Sequence, residues 1–281
     1  TTARPLDIQL RLSPHPEFAI VEVLYLWRFG GILDALLSKE EVLGYRLDLR
    51  EQQVIPHRRW LFEYWPRQYQ AFRSAPLETA KTALNEGEPT LIISADLASF
   101  YDTVDPSFML SEALLAELEN HGASKDDVAE YKRATASLLR AYARFHEVAS
   151  SRAALPIKVG VPIGALTSRV VANLSLAPLD RHIAAQPGIL CYRRYVDDLV
   201  IVAHAPEGDE GVVATMRRFL PVLPGDDDVL RLDVNAIDRG GSEFQLQKAK
   251  VRVHHLAGIP GIDFVEAVAS DFAKAVSERR A

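Results

Sequence analysis

Apolar and polar positions divide the chain into stretches of different period. FAIVEVLYLWRFGGILDALL (18–37) keeps its apolar residues at helical spacing, and an aromatic and basic run, PHRRWLFEYWPRQYQAFRS (56–74), follows it. The character changes at Thr90. TLIISAD (90–96) is a short apolar, β-rich run ending in an acid, the pattern of a buried strand that delivers a carboxylate at its end. After Pro106, helical spacing runs through Leu110, Leu114, Leu115 and Leu118 and breaks at HGASKDD. Ser124 with Asp127 predicts an N-cap for a second helix, whose apolar face is Val128, Tyr131, Leu138, Leu139, Tyr142 and Phe145. A Gly/Pro loop, KVGVPIGALTS (158–168), leads into a helix through Val170, Leu174 and Leu179 that Pro178 should kink or shorten. ILCYRRY and LVIVAH read as strands flanking Asp197 and Asp198, so the two acids fall at a tight hairpin turn. A helix near VVATMRRFLPV and a β-rich end, FQLQKAKVRVHHLAGIPGIDFVE (244–266), complete an α+β chain.

With 281 residues and 48% apolar content, the chain can bury a full core as one large domain or two modest ones. No apolar run approaches the length of a membrane span, and TTARPLDIQL lacks the features of a signal peptide, so a cytoplasmic location without membrane contact is the default. The one cysteine, Cys191, fits a reducing compartment. None of the eight histidines has metal-ligand spacing; His254 and His255, adjacent on a predicted strand, point opposite ways. A net charge of −6 argues against a general nucleic-acid binder, yet the charge is unevenly spread. Between Arg140 and Tyr195 the basic residues are Arg140, Arg144, Arg152, Lys158, Arg169, Arg181, Arg193 and Arg194, against Glu147 and Asp180 alone. Such an excess suits a polyanion track or a solvated helix face.

Adjacent like charges pushed into an otherwise buried run cost on the order of several kcal/mol unless something compensates them. A sheet that set the strand ending at Asp96 beside the hairpin would bring Asp96, Asp197 and Asp198 together. Magnesium is the natural compensation, being a hard ion that takes oxygen ligands and leaves positions for water and phosphate. Two such ions about 4 Å apart can activate a hydroxyl nucleophile and neutralise a pyrophosphate leaving group. The hairpin alone leaves open that its acids simply meet solvent.

Three segments, in order, carry a family resemblance: DLASFYDTVD from Asp96, GVPIGALTSRVVANLSLAPLD from Gly160 and YVDD from Tyr195. They resemble the three central palm motifs of reverse transcriptases, and in particular those of the bacterial group that includes diversity-generating, retron and abortive-infection enzymes. The likeness covers residues 90 to 204, and TSxxxAN is intact. Ile163 stands where many members carry glutamine, and PIG matches the bacterial subset.

The resemblance implies a right-hand polymerase core: a fingers-like region over 1–89, a palm over 90–270 with an antiparallel sheet packed on helices, and a helical tail over 271–281. No thumb is evident, so either the chain is a fragment of a larger protein or helices of an accessory domain or of a second copy hold the primer duplex. Asp96 and Asp197 become the main ligands of two Mg²⁺ (or Mn²⁺) ions, with Asp198 assisting and Leu97 in the same set. Asp102 and Asp105 read as turn or cap residues. Tyr101 matches the aromatic steric gate that excludes a ribose 2′-hydroxyl, with Phe100 beside it, and the alternative for Tyr101 is a core tyrosine. Gly160 and Gly164 allow close backbone approach. Asn173 either contacts the substrate or packs. Arg67, with Arg58, Arg59 and Arg73, is a candidate for the triphosphate among Trp60, Tyr64, Trp65 and Tyr69. Lys248 or Lys250 resembles the late palm lysine near the leaving pyrophosphate, and GIPGIDFVE resembles a primer-grip turn. The implied partners are dNTPs, an RNA template and a DNA product. The rival readings are a non-catalytic nucleic-acid scaffold and an RNA-synthesising polymerase.

Overall fold

The computed structural model describes residues 11–51, 53–54, 60–153, 159–206, 208, 211–223, 229–233 and 242–278. In chain order its strands are β1 (Val42–Leu43), β2 (Leu49–Arg50), β3 (Gln53–Val54), β4 (Thr90–Asp96), β5 (Ile189–Tyr195), β6 (Asp198–His204), β7 (Val229–Arg231), β8 (Gln245–Gln247) and β9 (Arg252–Leu256). Five of them form one sheet in the order β1-β5-β6-β4-β9, while β2 pairs with β3 and β7 with β8. The sheet is mixed, which corrects the expectation of an antiparallel one: β4, β5, β6 and β9 pair antiparallel, but β1 joins β5 in parallel. Two residues give no alternation to read, so β1 had no signature in the sequence.

Alternation along the central strands sends residues to two different layers. Leu91, Ile93, Leu199, Ile201 and Tyr192 enter the main core, which also takes Leu26, Leu33, Val170 and Leu174. Ile92, Val202, Cys191 and Leu256 enter a smaller core with Leu77, Ala80, Leu84 and Val265. These come from α2 (Trp65–Asn85) and the last helix, which therefore cover the second face. Each fully buried aliphatic contributes about 1.5–3 kcal/mol of burial, so both faces fix the register of β4 against β6.

The other helices are α1 (Pro16–Asp34), α3 (Phe100–Thr103), α4 (Glu112–Asn120), α5 (Lys125–Ala153), α6 (Leu166–Ser175), α7 (Ala177–Ala184) and α8 (Val212–Phe219). Ser124 and Asp127 form the expected capping box at α5, with Ser124 N–H donating to Asp127 Oδ2 at 3.1 Å and Asp127 N–H to Ser124 Oγ at 3.1 Å. Pro178 falls in the first turn of α7 and separates it from α6. Residues 106–110 form a 3₁₀ turn, capped by Asp105.

One reading is overturned at the end of the chain. GIPGIDFVE is neither β-rich nor a turn; it opens the helix α9 (Gly258–Glu278), which runs through residue 271. Pro260 lies in the first turn, where it removes no helical hydrogen bond. Ile262, Val265, Val268 and Phe272 recur at helical spacing and pack on the second core.

Candidate functional site

The two-residue turn between β5 and β6 consists of Val196 and Asp197, with Tyr195 paired to Asp198 across its mouth. Val196 has φ 60, a conformation a β-branched residue reaches only at a cost of about 1–3 kcal/mol. On the other side of β6, Asp198 pairs with Asp96 at the end of β4. Leu97 N–H donates to the Asp197 carbonyl at 3.1 Å, which makes Asp96 and Asp198 a non-hydrogen-bonded pair. That is the register at which facing side chains approach most closely, with Cα atoms about 4.5 Å apart. Strand pairing thus brings Asp96, Asp197 and Asp198 to one end of the sheet.

Their electrostatics are those of crowded, half-buried acids. Burial, then Asp197, then Asp96 push the Asp198 carboxyl up to about 6. Asp197 is also raised, by burial first and then by Asp96, against the pull of Lys250 and Arg194. Among the described residues the cation paired with these acids is Lys250, whose Nζ lies 2.9 Å from Asp96 Oδ1. Among the described residues no three His, Cys, Asp or Glu side chains are gathered tightly enough to hold an ion as they stand. The donor set is nonetheless that of a hard divalent ion: carboxylate oxygens alone, two of the three with raised pKa, and a cation already drawn to the third.

The strained turn is held from below by Arg194, which is fully buried. Its Nη1 donates to the Val196 carbonyl at 2.8 Å and to Asn173 Oδ1 at 2.9 Å. Its Nε and Nη2 take both oxygens of Asp180 at 2.7 Å, and Tyr192 Oη donates to the same carboxylate at 2.6 Å. Asp180 comes from α7 and Asn173 from α6, so the helices after the glycine loop clamp the acid hairpin. Sequence reading counted Arg194 only as part of a basic excess. Its signal, a basic residue between apolar positions of a strand, is shared by many surface strands.

Asn173 is accordingly a packing residue: it is 1% exposed, accepts from Arg194 and donates to the Gly44 carbonyl at 2.9 Å. Phe100 is likewise buried, 2% exposed with its ring 5.9 Å from that of Phe244. Tyr101, its neighbour, is half-buried, with its hydroxyl raised chiefly by burial and sensitive to both Arg169 and Asp197. Gly160, at φ 116, is needed for contact with the chain around Tyr101: a Cβ there would stand 3.0 Å from the Tyr101 carbonyl. Gly164, at φ 108, meets the carbonyl of Leu12, so its close approach is to the N-terminal segment.

Of the two lysines, Lys250 reaches the acids, while Lys248 has no contact with them among the described bonds. Leu97 as a whole is 2% exposed, and with an aliphatic side chain it has only its carbonyl to offer an ion. Arg67 is exposed near the start of α2, and Arg73 stacks 3.2 Å above the Phe272 ring. Trp60, Tyr64 and Trp65 are exposed, while Tyr69 packs edge-on against Tyr195. Arg58, Arg59 and Lys158 lie outside the described residues. Tyr45 and Arg169, beside Tyr101, were not singled out from the sequence, since they are joined only by the fold. No helix among the described residues is long and apolar enough to cross a membrane.

No curated protein matches the chain. The pattern of the family described as reverse transcriptase (RNA-dependent DNA polymerase) matches residues 45–222, more than half of the sequence and a span that takes in all three acids, the glycine loop and Arg194. The chain belongs to the reverse transcriptase family.

Proposed function

We propose that the protein is an RNA-directed DNA polymerase that adds dNTPs to a 3′-hydroxyl, or to a protein hydroxyl, copying an RNA template. The observation that carries this reading is the pairing of Asp96 with Asp198 beside the Asp197 turn. In this reading residues 1–89 act as fingers, 90–270 as palm and 271–281 as a tail.

Asp96 and Asp197, with Asp198 and the Leu97 carbonyl, would hold two Mg²⁺ or Mn²⁺ ions. When bound, such ions lower the pKa of a nucleophilic hydroxyl and neutralise charge on the leaving pyrophosphate. The chain's own residues do the rest. Arg194 fixes the turn so that Asp197 and Asp198 keep their direction. Lys250 forms an open ion pair with Asp96, worth about 0–1 kcal/mol, which is weak enough to exchange for an ion and leaves its ammonium near the departing phosphates. Tyr101 would act as the gate, its ring excluding a ribose 2′-hydroxyl. The PIG sequence at 162–164 supports a place among bacterial defence or retroelement enzymes.

One observation favours a non-catalytic scaffold: Lys250 is ion-paired with Asp96. The decisive experiment is purified protein with Mg²⁺ and either dNTPs or rNTPs, with and without a primed RNA template, followed by sequencing of the products. DNA that depends on Asp197 supports the polymerase. Nucleic-acid binding without synthesis under any condition supports the scaffold.

A further inference from the structure

Arg169 lies in the first turn of α6, four residues before Asn173 and so on the same helix face. That face addresses the acid hairpin, because Asn173 holds Arg194, which holds the Val196 carbonyl. The Arg169 guanidinium is laid over two rings, 4.6 Å from the centre of Tyr45 and 5.1 Å from that of Phe62. The two rings meet edge to face at 6.0 Å. Among the described residues no carboxylate forms an ion pair with it, although the side chain is half-buried.

The platform beneath it is built at a cost. Tyr45 has φ 51, a left-handed conformation that a tyrosine adopts only when its surroundings impose it. The residues on either side do so. Gly44 accepts from Asn173 at 2.9 Å, and Arg46 is locked onto Asp34 at 3.0 and 2.8 Å. Gly44 also abuts the hairpin itself, since a Cβ there would come within 3.1 Å of both Tyr195 and Val196. The strained strap that carries Tyr45 therefore borders the acids. The Tyr101 hydroxyl is within electrostatic reach of both Arg169 and Asp197.

A guanidinium that is held by aromatic rings rather than by a carboxylate has N–H groups to offer another partner, and its planar fork fits two phosphate oxygens at once. The acids repel a polyanion, so a site for nucleotides beside them needs a fixed cation that those acids do not neutralise. We propose that Arg169 is a phosphate-binding residue of this site, offering the edge of a guanidinium stacked on Tyr45 and Phe62 to a phosphate of the substrate. The inference rests on the polymerase reading. Two phosphates share this chemistry: the triphosphate of the incoming nucleotide and the phosphodiester of the bound strand.

The test compares wild type, Arg169→Gln and Arg169→Lys as full chains, each measured for binding of dTTP, of inorganic tripolyphosphate and of a short RNA oligonucleotide across a salt series. Arg169→Gln should weaken one class about ten- to a hundredfold, the loss of a charge-assisted bidentate contact. Weaker dTTP and tripolyphosphate binding with RNA unchanged assigns the triphosphate. Weaker RNA binding, with the log–log salt slope reduced by about one, assigns the strand. Arg169→Lys keeps the charge but not the flat stacking, and should fall between the two; it also serves as the readout if the glutamine variant fails to fold. Unchanged binding of all three probes by a folded variant overturns the proposal, as does wild-type affinity in Arg169→Lys for every probe. Wild-type protein that binds none of the probes would instead sink the polymerase reading itself.

Discussion

Asp96 and Asp198 face each other across β4 and β6 at a non-hydrogen-bonded pair, where two strands bring their side chains closest. Like charges directly opposite destabilise a sheet, and here Asp197 adds a third. A fold that accepts this arrangement at the end of its central strands gains something other than stability from it.

Replacing one acid separates stability from function. Asp197→Asn removes a like charge, so in metal-free buffer its melting temperature should equal or exceed that of wild type. Incorporation of dNTPs should fall on the order of a hundred- to a thousandfold or more. Mg²⁺ should raise the wild-type melting temperature, by mass action on a native-state site, and raise that of the variant far less. Retained synthesis by Asp197→Asn would remove that residue from the metal set.

The clamp on the turn makes a second prediction. Arg194→Met leaves the Asp180 carboxylate buried without its ion-pair partner, which should cost about 3–5 kcal/mol. The double variant Arg194→Met/Asp180→Leu removes both charges and should recover most of that loss in a denaturant melt. It should not recover activity, because the Val196 carbonyl has lost its donor and the turn its direction. A double variant that regains both would show the pair to be packing alone.

What could be read in the sequence follows from how local each signal is. TLIISAD was legible as a continuous apolar run ending at an acid, the hairpin strands as β-rich runs flanking two adjacent acids, and the capping box at Ser124 because its partners are three residues apart. β1 was too short to read, and α9 was hidden by a Gly-Pro start that resembles a turn. The burial of Phe100 and Asn173 depends on Phe244 and Arg194, residues distant in sequence. The stacking of Arg169 on Tyr45 and Phe62 is invisible for the same reason.

His146 gives the pH dependence. It lies on α5, and its ring bonds the backbone of Gly160, the residue that keeps the glycine loop against the Tyr101 carbonyl. Burial lowers its pKa, and the bond to Gly160 opposes that only in part. A histidine whose folded pKa is depressed contributes stability that is present above its unfolded value of about 6.5 and lost as pH falls through the folded value. Over the window from about 6.5 down through the folded value His146 thus lowers stability as pH falls, while the raised Asp198 carboxyl acts in the opposite sense. His146→Gln, which keeps a donor but cannot titrate, should therefore melt higher relative to wild type at the acid end of that window than at its neutral end. An identical pH profile in the variant would exclude His146 as the source.

Substitution of Tyr101 tests whether the product is DNA or RNA. Its ring is half-buried, 5.7 Å from that of Phe100, and its hydroxyl senses the charge of Asp197. Five residues after Asp96, it can lie beneath the sugar of a nucleotide whose phosphates reach the acids. As a gate, it collides with a 2′-hydroxyl, and Tyr101→Val should lower the ratio of dNTP to rNTP catalytic efficiency, mainly by letting rNTPs in. As a core residue alone, its truncation should cost about 3–5 kcal/mol and depress both efficiencies together. The measurement is that ratio for wild type and variant, with thermal melting to report folding. A lower ratio at little cost in stability establishes the gate; an unchanged ratio with lost stability assigns the ring to packing and removes the main argument that the product is DNA.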